Sequence, residues 1–239
     1  MNDSDPFAAP LRVPTATRPL LGLTILVVED SRFACEAMRL LCLRSGARIR
    51  RADCLKSARR HLQIYRPSVI VIDLGLPDGS GADLIEELAN TTPRVGVILG
   101  TSGDEFAEDT ALAAGADGFL AKPITSLATF QTAVLSKLPA DRHPSGPRVV
   151  HDETIAPDPL AYQDDMAHVA DVLTDTCDGK TLDYVAQFVG GVARSASDMV
   201  LANAARDLAE ARAKGAPVAT DAARVAGLIQ ERLDRRKAI

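Results

Sequence analysis

The chain has 239 residues, of which 46% are hydrophobic and 25% are charged, and its formal net charge is −5. This length allows one large domain or two small ones with a buried core, and the composition is typical of globular proteins. The acidic balance provides no general attraction to nucleic acid, and no CxxC or Cys/His spacing indicates a metal site. The sequence has no apolar run of about 18 residues and no secretory signal pattern, so we expect a cytoplasmic protein without a membrane partner.

The N-terminal segment differs in pattern from the residues that follow it. Residues 1–21 contain four prolines that interrupt each apolar cluster, which predicts a flexible arm. Residues 22–138 show five alternations of a strand and a helix. The predicted strands are 24–28, 48–51, 69–72, 95–99 and 118–121, and the predicted helices are 31–45, 55–65, 82–90, 104–114 and 124–138. This alternation predicts an α/β fold, a doubly wound parallel sheet with helices on both faces.

Asp73 directly follows the most strongly predicted strand. The four residues before it, 69–72, are consecutive β-favouring apolar residues, and the six residues 76–81 are typical of turns. A carboxylate at the carboxyl end of a buried parallel strand faces the crevice in which open α/β sheets bind ligands. The alternative is that Asp73 only caps the following loop.

Further polar residues follow the other strands. Glu29 and Asp30 follow the first, Thr101 the fourth and Lys122 the fifth. Three carboxylates at one sheet edge repel one another, and a hard cation such as Mg²⁺ removes that conflict. A hydroxyl and an ammonium group can bind phosphoryl oxygens. Together these residues predict a site for in-line phosphoryl transfer to Asp73.

Residues 23–138 resemble the receiver domain of two-component response regulators, the CheY-like, flavodoxin-like fold with strand order 2-1-3-4-5. The matching positions are Glu29-Asp30, Asp73, Thr101 and Lys122-Pro123. The resemblance implies that Asp73 accepts a phosphoryl group from a histidine kinase or a histidine phosphotransfer protein in a Mg²⁺-dependent reaction.

The resemblance also implies roles for individual residues. The metal ligands would be Glu29, Asp30, Asp73 and the carbonyl oxygen of Gly75. Thr101 and Lys122 would bind the phosphoryl oxygens, and the bond between Lys122 and Pro123 would be cis. Phe119 matches the aromatic residue that acts as a switch with Thr101, and simple core packing is the other interpretation of Phe119.

The residues around this predicted site are small. Gly100 and Ser102 flank Thr101 where a larger apolar residue and alanine are usual in the family, and Gly75 and Gly103 lie at the same rim. We expect an open rim that admits water easily and therefore a short-lived phosphoryl group.

The remaining residues differ in composition from the receiver-like segment. Residues 139–159 are rich in proline and lack periodicity, which predicts a linker. Residues 160–239 are rich in alanine, and amphipathic patterns predict helices at 160–176, 182–195, 199–214 and 221–236. Short connections predict an all-α bundle, complete in one chain or completed by a second subunit in a homodimer.

The predicted bundle lacks the features of common DNA-binding modules. Residues 158–183 carry seven acidic residues and one basic residue, and the basic cluster 232–237 lies at the C-terminal end, where we expect a frayed helix. We therefore do not expect nucleic acid as a partner. A DNA-binding transcription regulator with an atypical helical output domain remains an alternative.

Residues 201–215 faintly resemble the helix that follows the phospho-histidine of histidine phosphotransfer domains. By that spacing the phospho-histidine position falls on Gln187, which cannot carry a phosphoryl group in this way, and the expected Lys-Gly pair falls on Gly190-Gly191. The bundle is then either a degenerate docking version of such a domain or only similar in its alanine content. We expect His168 to be a partly buried structural residue, the alternative being a phosphoacceptor.

These patterns together predict a phospho-acceptor response regulator that signals through a helical interaction domain to an unknown protein target. We expect no enzymatic activity beyond self-phosphorylation from small donors and self-dephosphorylation. A scaffold that works without phosphorylation is a further alternative.

Overall fold

A computed structural model describes residues 13–104, 106–146, 153–175 and 179–235. Its main sheet has five parallel strands: β1 (Thr24–Val28), β2 (Arg48–Ala52), β3 (Val69–Asp73), β4 (Val97–Ser102) and β5 (Gly118–Ala121). Their order is β2-β1-β3-β4-β5. The predicted α/β fold class and strand order are confirmed. β3 is buried along its whole length, as its unbroken apolar pattern predicted.

Five helices cover the two faces of this sheet. They are α1 (Arg32–Ser45), α2 (Leu55–Ile64), α3 (Gly81–Ala89), α4 (Ala107–Ala113) and α5 (Leu127–Leu135). The sequence accounts for the ends of α1, because the Ser31 hydroxyl accepts a hydrogen bond from the Ala34 N–H and Gly46 follows the helix with a φ of 82°. One hydrophobic core lies on each face of the sheet.

Two boundaries differ from the predictions in a way that affects the polar residues. β4 starts later and continues through Ser102, so Thr101 lies inside the strand and pairs with Asp73. The glycine before Thr101 ended the predicted strand too early, because parallel pairing to β3 continues beyond it. The predicted turn, residues 76–81, is part of a short antiparallel hairpin after β3, in which residues 75–76 pair with residues 79–80.

The segments on either side of the sheet domain are more ordered than the predicted arm and linker. Leu20 is fully buried, and its N–H donates a hydrogen bond to the Ser45 carbonyl at 2.9 Å. Ile155 is also buried, and the Thr154 backbone forms an isolated bridge with Ser126. The flexible arm is therefore wrong for the end of that segment, because the leucines that follow its last proline complete the core. Residues 1–12 and 147–152 lie outside the described part of the chain.

The C-terminal residues fold as α6 (Pro159–Asp175), α7 (Gly179–Ser195), α8 (Met199–Ala213) and α9 (Ala219–Arg235). Both α6 and α8 pack against α7 and α9, so the four helices form a closed bundle. Its core consists mainly of valine, leucine and alanine side chains, with Met166, Phe188, Ile229 and, from α1, Phe33. Within the described residues, no helix is long and apolar enough to cross a membrane.

Arg232 does not belong to a frayed basic end. Its guanidinium binds the Asp198 carboxylate through two hydrogen bonds of 2.8 and 3.0 Å, and its side chain is only 9% exposed. The Tyr162 hydroxyl donates to the same carboxylate at 2.8 Å. This interaction ties α9 to the start of α8, and the sequence pattern gave no indication of it.

Candidate functional site

Three carboxylates converge at the carboxyl ends of β1 and β3. Glu29, Asp30 and Asp73 each offer an oxygen, and these oxygens all lie within 4.8 Å of one another. The register explains the arrangement, because β1 and β3 are adjacent and parallel, so residues that follow their last paired positions meet at one edge. Glu29 and Asp73 are buried, and Asp30 is half-buried.

Lys122 lies within this cluster. Its ammonium group contacts Glu29 Oε2 at 2.7 Å and Asp73 Oδ2 at 2.9 Å, and its side chain is 10% exposed. It follows β5, two strands away from β3, and the peptide bond to Pro123 is cis. The other oxygen of the central carboxylate, Asp73 Oδ1, accepts a long hydrogen bond of 3.4 Å from the Gly75 N–H.

The charges of the cluster do not balance when only side chains are counted. Burial raises the pKa of Glu29 to about 8, although the Lys122 ammonium lowers it, and burial likewise raises the pKa of Asp30 to about 7. Burial alone would lower the pKa of Lys122. The nearby carboxylates of Asp73 and Glu29 have the larger effect, so the pKa of Lys122 is raised. Hard oxygen ligands with excess negative charge match the preference of Mg²⁺. The residues present therefore fit such an ion.

Thr101 and Phe119 connect this cluster to the face of the sheet domain between α4 and α5. The Thr101 hydroxyl donates a 2.7 Å hydrogen bond to the Leu120 carbonyl, so it is directed toward β5. Phe119 is half-buried beside Gly100, where an added Cβ would lie 3.3 Å from its ring and 2.6 Å from the Ala111 Cβ. The glycine thus lets α4 and the aromatic ring approach β4 closely.

The helical bundle binds directly beside the cluster. Asp165 of α6 is buried, and its carboxylate accepts hydrogen bonds from the Ser31 hydroxyl (2.8 Å), the Arg32 N–H (2.7 Å) and the Phe33 N–H (3.0 Å). These are groups at the N-terminus of α1, where a carboxylate is favourable. The Phe33 ring also packs edge-on against Tyr162 of α6, with 5.9 Å between ring centroids.

Helix α7 carries a polar stripe that faces the same edge of the sheet. The Tyr184 hydroxyl donates a 2.7 Å hydrogen bond to Asp30 Oδ2. Three positions later, the Gln187 amide lies so close to Gly75 that an added Cβ there would overlap it. Arg194 lies beside Gly103 in the loop after β4, where an added Cβ would be 2.7 Å from its Nη2.

The rim of the site is therefore not open in the way that its small residues suggested. Gly75 and Gly103 provide space for side chains of α7, and Gly100 provides space for α4. The physical reason is that a missing side chain can admit a packed neighbour as readily as water. A cleft of about 610 Å³ nevertheless remains between the sheet domain and the bundle, lined in part by Asp30, Pro77 and Tyr184.

His168 also lines this cleft. It is exposed, not partly buried, and its ring contacts the Phe188 ring edge-on at 6.0 Å between centroids. The prediction placed it on the apolar side of α6 because apolar residues are its near neighbours in sequence. The helix turns its side chain toward the open cleft instead.

The structure brings together the predicted residues Glu29, Asp30, Asp73 and Lys122, with Gly75 beside them and Thr101 paired to Asp73 on β4. Sequence reasoning missed Asp165, Tyr184 and Arg194. A signal existed for α7, since residues 184, 187 and 194 share one helical face and interrupt an otherwise apolar and alanine-rich pattern. What that face binds was not visible from the sequence.

Comparison with known proteins agrees with this geometry. Residues 25–134 match the family described as "Response regulator receiver domain". Among curated relatives, the KDP operon transcriptional regulatory protein KdpE of Escherichia coli (strain K12) is 30% identical over 142 residues, which are 59% of this chain and 58% of the relative. The probable transcriptional regulatory protein TcrX of Mycobacterium tuberculosis (strain ATCC 25618 / H37Rv) is 34% identical over 104 residues, 43% of this chain and 44% of the relative.

Solved structures also match this part of the chain. A putative response regulator from Chloroflexus aurantiacus J-10-fl is 26% identical, with a TM-score of 0.44, covering 48% of this chain and 98% of that chain. The chain spans about half the length of the curated relatives, 58% for KdpE and 44% for TcrX. By the family match alone, residues 25–134 are a response regulator receiver domain.

Proposed function

We propose that the protein is a phospho-acceptor response regulator in which Asp73 accepts a phosphoryl group. The observation that carries this proposal is the placement of the Asp73 carboxylate. It ends the central strand, one oxygen contacts the Lys122 ammonium at 2.9 Å, and two further carboxylates lie within 4.8 Å. An ammonium group and a divalent-cation site on either side of one carboxylate suit phosphoryl transfer, because catalysis of this step consists of positioning and charge neutralisation.

In the proposed reaction, an Asp73 oxygen forms a bond to the phosphorus of the donor as the bond between phosphorus and the donor nitrogen, or the oxygen of a small acyl phosphate, breaks in line. Glu29, Asp30, Asp73 and the Gly75 carbonyl would hold Mg²⁺, which supplies neutralisation of the phosphoryl oxygens when bound. Lys122 exchanges part of its contact with Glu29 and Asp73 for a phosphoryl oxygen.

The switch would use the contact between Thr101 and Leu120. A phosphoryl group adds nearly two negative charges beside β4, and the Thr101 hydroxyl would turn from the Leu120 carbonyl toward the new oxygens. The space that the hydroxyl leaves allows the half-buried Phe119 ring to move inward. This changes the face between α4 and α5.

The donor would be a histidine kinase or a histidine phosphotransfer protein, and the output would be a protein that contacts the helical bundle. The bundle's dense contact with α1 makes it sensitive to the state of the receiver. The transcriptional names of the curated relatives keep a DNA-binding regulator as a second candidate. The bundle itself supplies little support for DNA binding, since the Arg232 guanidinium forms an ion pair with the Asp198 carboxylate.

Intact-mass measurement with a small acyl phosphate donor and Mg²⁺ tests this proposal. We expect wild type to gain the mass of one phosphoryl group and the Asp73→Asn variant to gain none. The matched control is Asp109→Asn, which changes an exposed aspartate on α4 and should load like wild type. Equal loading of Asp73→Asn and wild type would contradict the proposal.

A further inference from the structure

Helix α7 presents an amide group to the phosphoryl-accepting edge of the receiver. The Gln187 Cδ lies 2.6 Å from the position that a Cβ on Gly75 would occupy, and the Gly75 N–H donates to Asp73 Oδ1. Gln187 is therefore adjacent to the loop that would surround a phosphoryl group on Asp73. The absence of a side chain at Gly75 is what makes this approach sterically allowed.

The Gln187 residue is also accessible to solvent. Gln187 is exposed even though neighbouring residues of α7 are buried in the bundle. The cleft of about 610 Å³ reaches Asp30 and Tyr184, one helical turn away from it. Its lining includes Asp30 and Pro77, so water in the cleft can reach the edge of the carboxylate cluster next to Gly75 while the bundle stays in place.

A second polar group of α7 lies along the same stripe. Arg194 is placed against Gly103 and Gly190, and its Nε is buried without a hydrogen-bond partner among the described residues. A buried guanidinium nitrogen without a partner is costly and indicates a site adapted to an acceptor. Gly103 lies two positions after Thr101, the residue proposed to bind a phosphoryl oxygen.

We infer that α7 supplies, within the same chain, the residues that hydrolyse the aspartyl phosphate, with Gln187 as the residue that orients the attacking water. This inference rests on the proposed function of Asp73. An amide is suited to the role because it can donate to and accept from one water at the same time, as glutamine does in nucleotide-hydrolysing enzymes. Arg194 supports the reaction by offsetting negative charge on the phosphoryl oxygens.

The proposed step is balanced without any further reactant. The water oxygen forms a bond to phosphorus as the bond between phosphorus and the Asp73 oxygen breaks, which returns the Asp73 carboxylate and releases inorganic phosphate. One water proton remains on the phosphate and the other passes to solvent. The bundle would therefore limit the lifetime of the signal that the receiver carries.

The decay of loaded protein tests this inference. The full chain is loaded with a small acyl phosphate and Mg²⁺, the donor is removed by desalting, and loss of the phosphoryl mass is followed with time. Gln187→Met keeps the length of the side chain but removes its hydrogen bonds, and we expect its decay to be at least about tenfold slower than in wild type. Gln230→Ala, which changes an exposed glutamine on α9, should decay like wild type.

A second variant and a second readout separate this role from a structural one. Arg194→Ala should also slow decay, and the loading rate and thermal midpoint of Gln187→Met should equal those of wild type. Unchanged decay of loaded Gln187→Met would overturn the inference. Faster loading with unchanged decay would overturn it as well, because it would show that α7 only shields the site from the donor. Failure of every variant to load would instead contradict the proposed function of Asp73, and the inference with it.

Discussion

The Tyr184 hydroxyl of the helical bundle donates a 2.7 Å hydrogen bond to Oδ2 of Asp30, a member of the carboxylate cluster of the receiver. This bond lowers the pKa of Asp30 against the larger effect of burial, which raises it to about 7. The bundle thus contributes directly to the electrostatics of the proposed acceptor site. Occupation of that site and attachment of the bundle should be linked.

Loss of this hydroxyl should loosen the attachment of the bundle. We expect Tyr184→Phe to weaken the contact between α7 and the receiver by about 1–3 kcal/mol, because a half-buried hydrogen bond to a charged group is lost. Faster amide hydrogen exchange at the N-terminus of α1 would report it. Tyr65→Phe serves as the control, since the buried Tyr65 hydroxyl has no hydrogen-bond partner among the described residues. Identical exchange in both variants would count against the linkage.

Asp165 should be the strongest single attachment between the two parts. Replacement with alanine removes three hydrogen bonds and leaves buried donors at the start of α1 without an acceptor. We expect a loss of at least about 3 kcal/mol in the urea unfolding free energy. Asp164→Ala is the matched control, because its ion pair with Arg32 is exposed (44% and 64%) and should contribute about 0–1 kcal/mol. A cost for Asp164→Ala as large as for Asp165→Ala would refute this ranking.

The close approach of α7 to the hairpin after β3 should depend on the missing side chain of Gly75. Gly75→Ala should displace the Gln187 amide and weaken attachment of the bundle, since the added Cβ overlaps it. The double variant Gly75→Ala with Gln187→Gly should recover most of the lost thermal stability, which a double-mutant cycle measures. Additive effects of the two substitutions would show that the two residues do not meet.

The bundle should lose stability in acid through Asp198. Hydrogen bonds from Arg232 and Tyr162 lower the pKa of Asp198 from 3.8 to about 2. A carboxyl group with a depressed pKa stabilises the folded state at pH values above its ordinary pKa. This contribution, about 2 kcal/mol, is lost as the pH falls from about 4 through 2. The difference in unfolding free energy between wild type and Asp198→Asn should therefore shrink over that interval. A difference that stays constant down to pH 2 would contradict the assignment.

The sequence carried enough information to predict the sheet and the cluster of Asp73, Glu29, Asp30 and Lys122. Alternating strand and helix patterns determine a parallel sheet. Parallel strands place the residues at their carboxyl ends along one edge of the sheet, independently of the loop conformations. The attachment of the bundle could not be predicted in the same way. In the sequence, Asp165 and Tyr184 have the pattern of ordinary polar residues on amphipathic helices. Only the packed structure shows that they bind groups of the receiver.

The glycines of the rim illustrate the same limit. A glycine in a sequence indicates space but not its occupant, so Gly75 and Gly103 suggested an open site although α7 side chains lie against them. Leu20 and Ile155 were likewise assigned to a flexible arm and a linker because proline dominates those segments. Single apolar residues without periodicity can still complete a core.

Asp73 should carry the phosphoryl group, and chemical mapping tests this most directly. Protein loaded with a small acyl phosphate is treated with borohydride, which reduces an aspartyl phosphate to homoserine, and its peptides are sequenced by mass spectrometry. We predict homoserine at position 73 alone, dependent on Mg²⁺ during loading. Homoserine at another aspartate, or a phosphoryl group that maps to His168, would contradict the account.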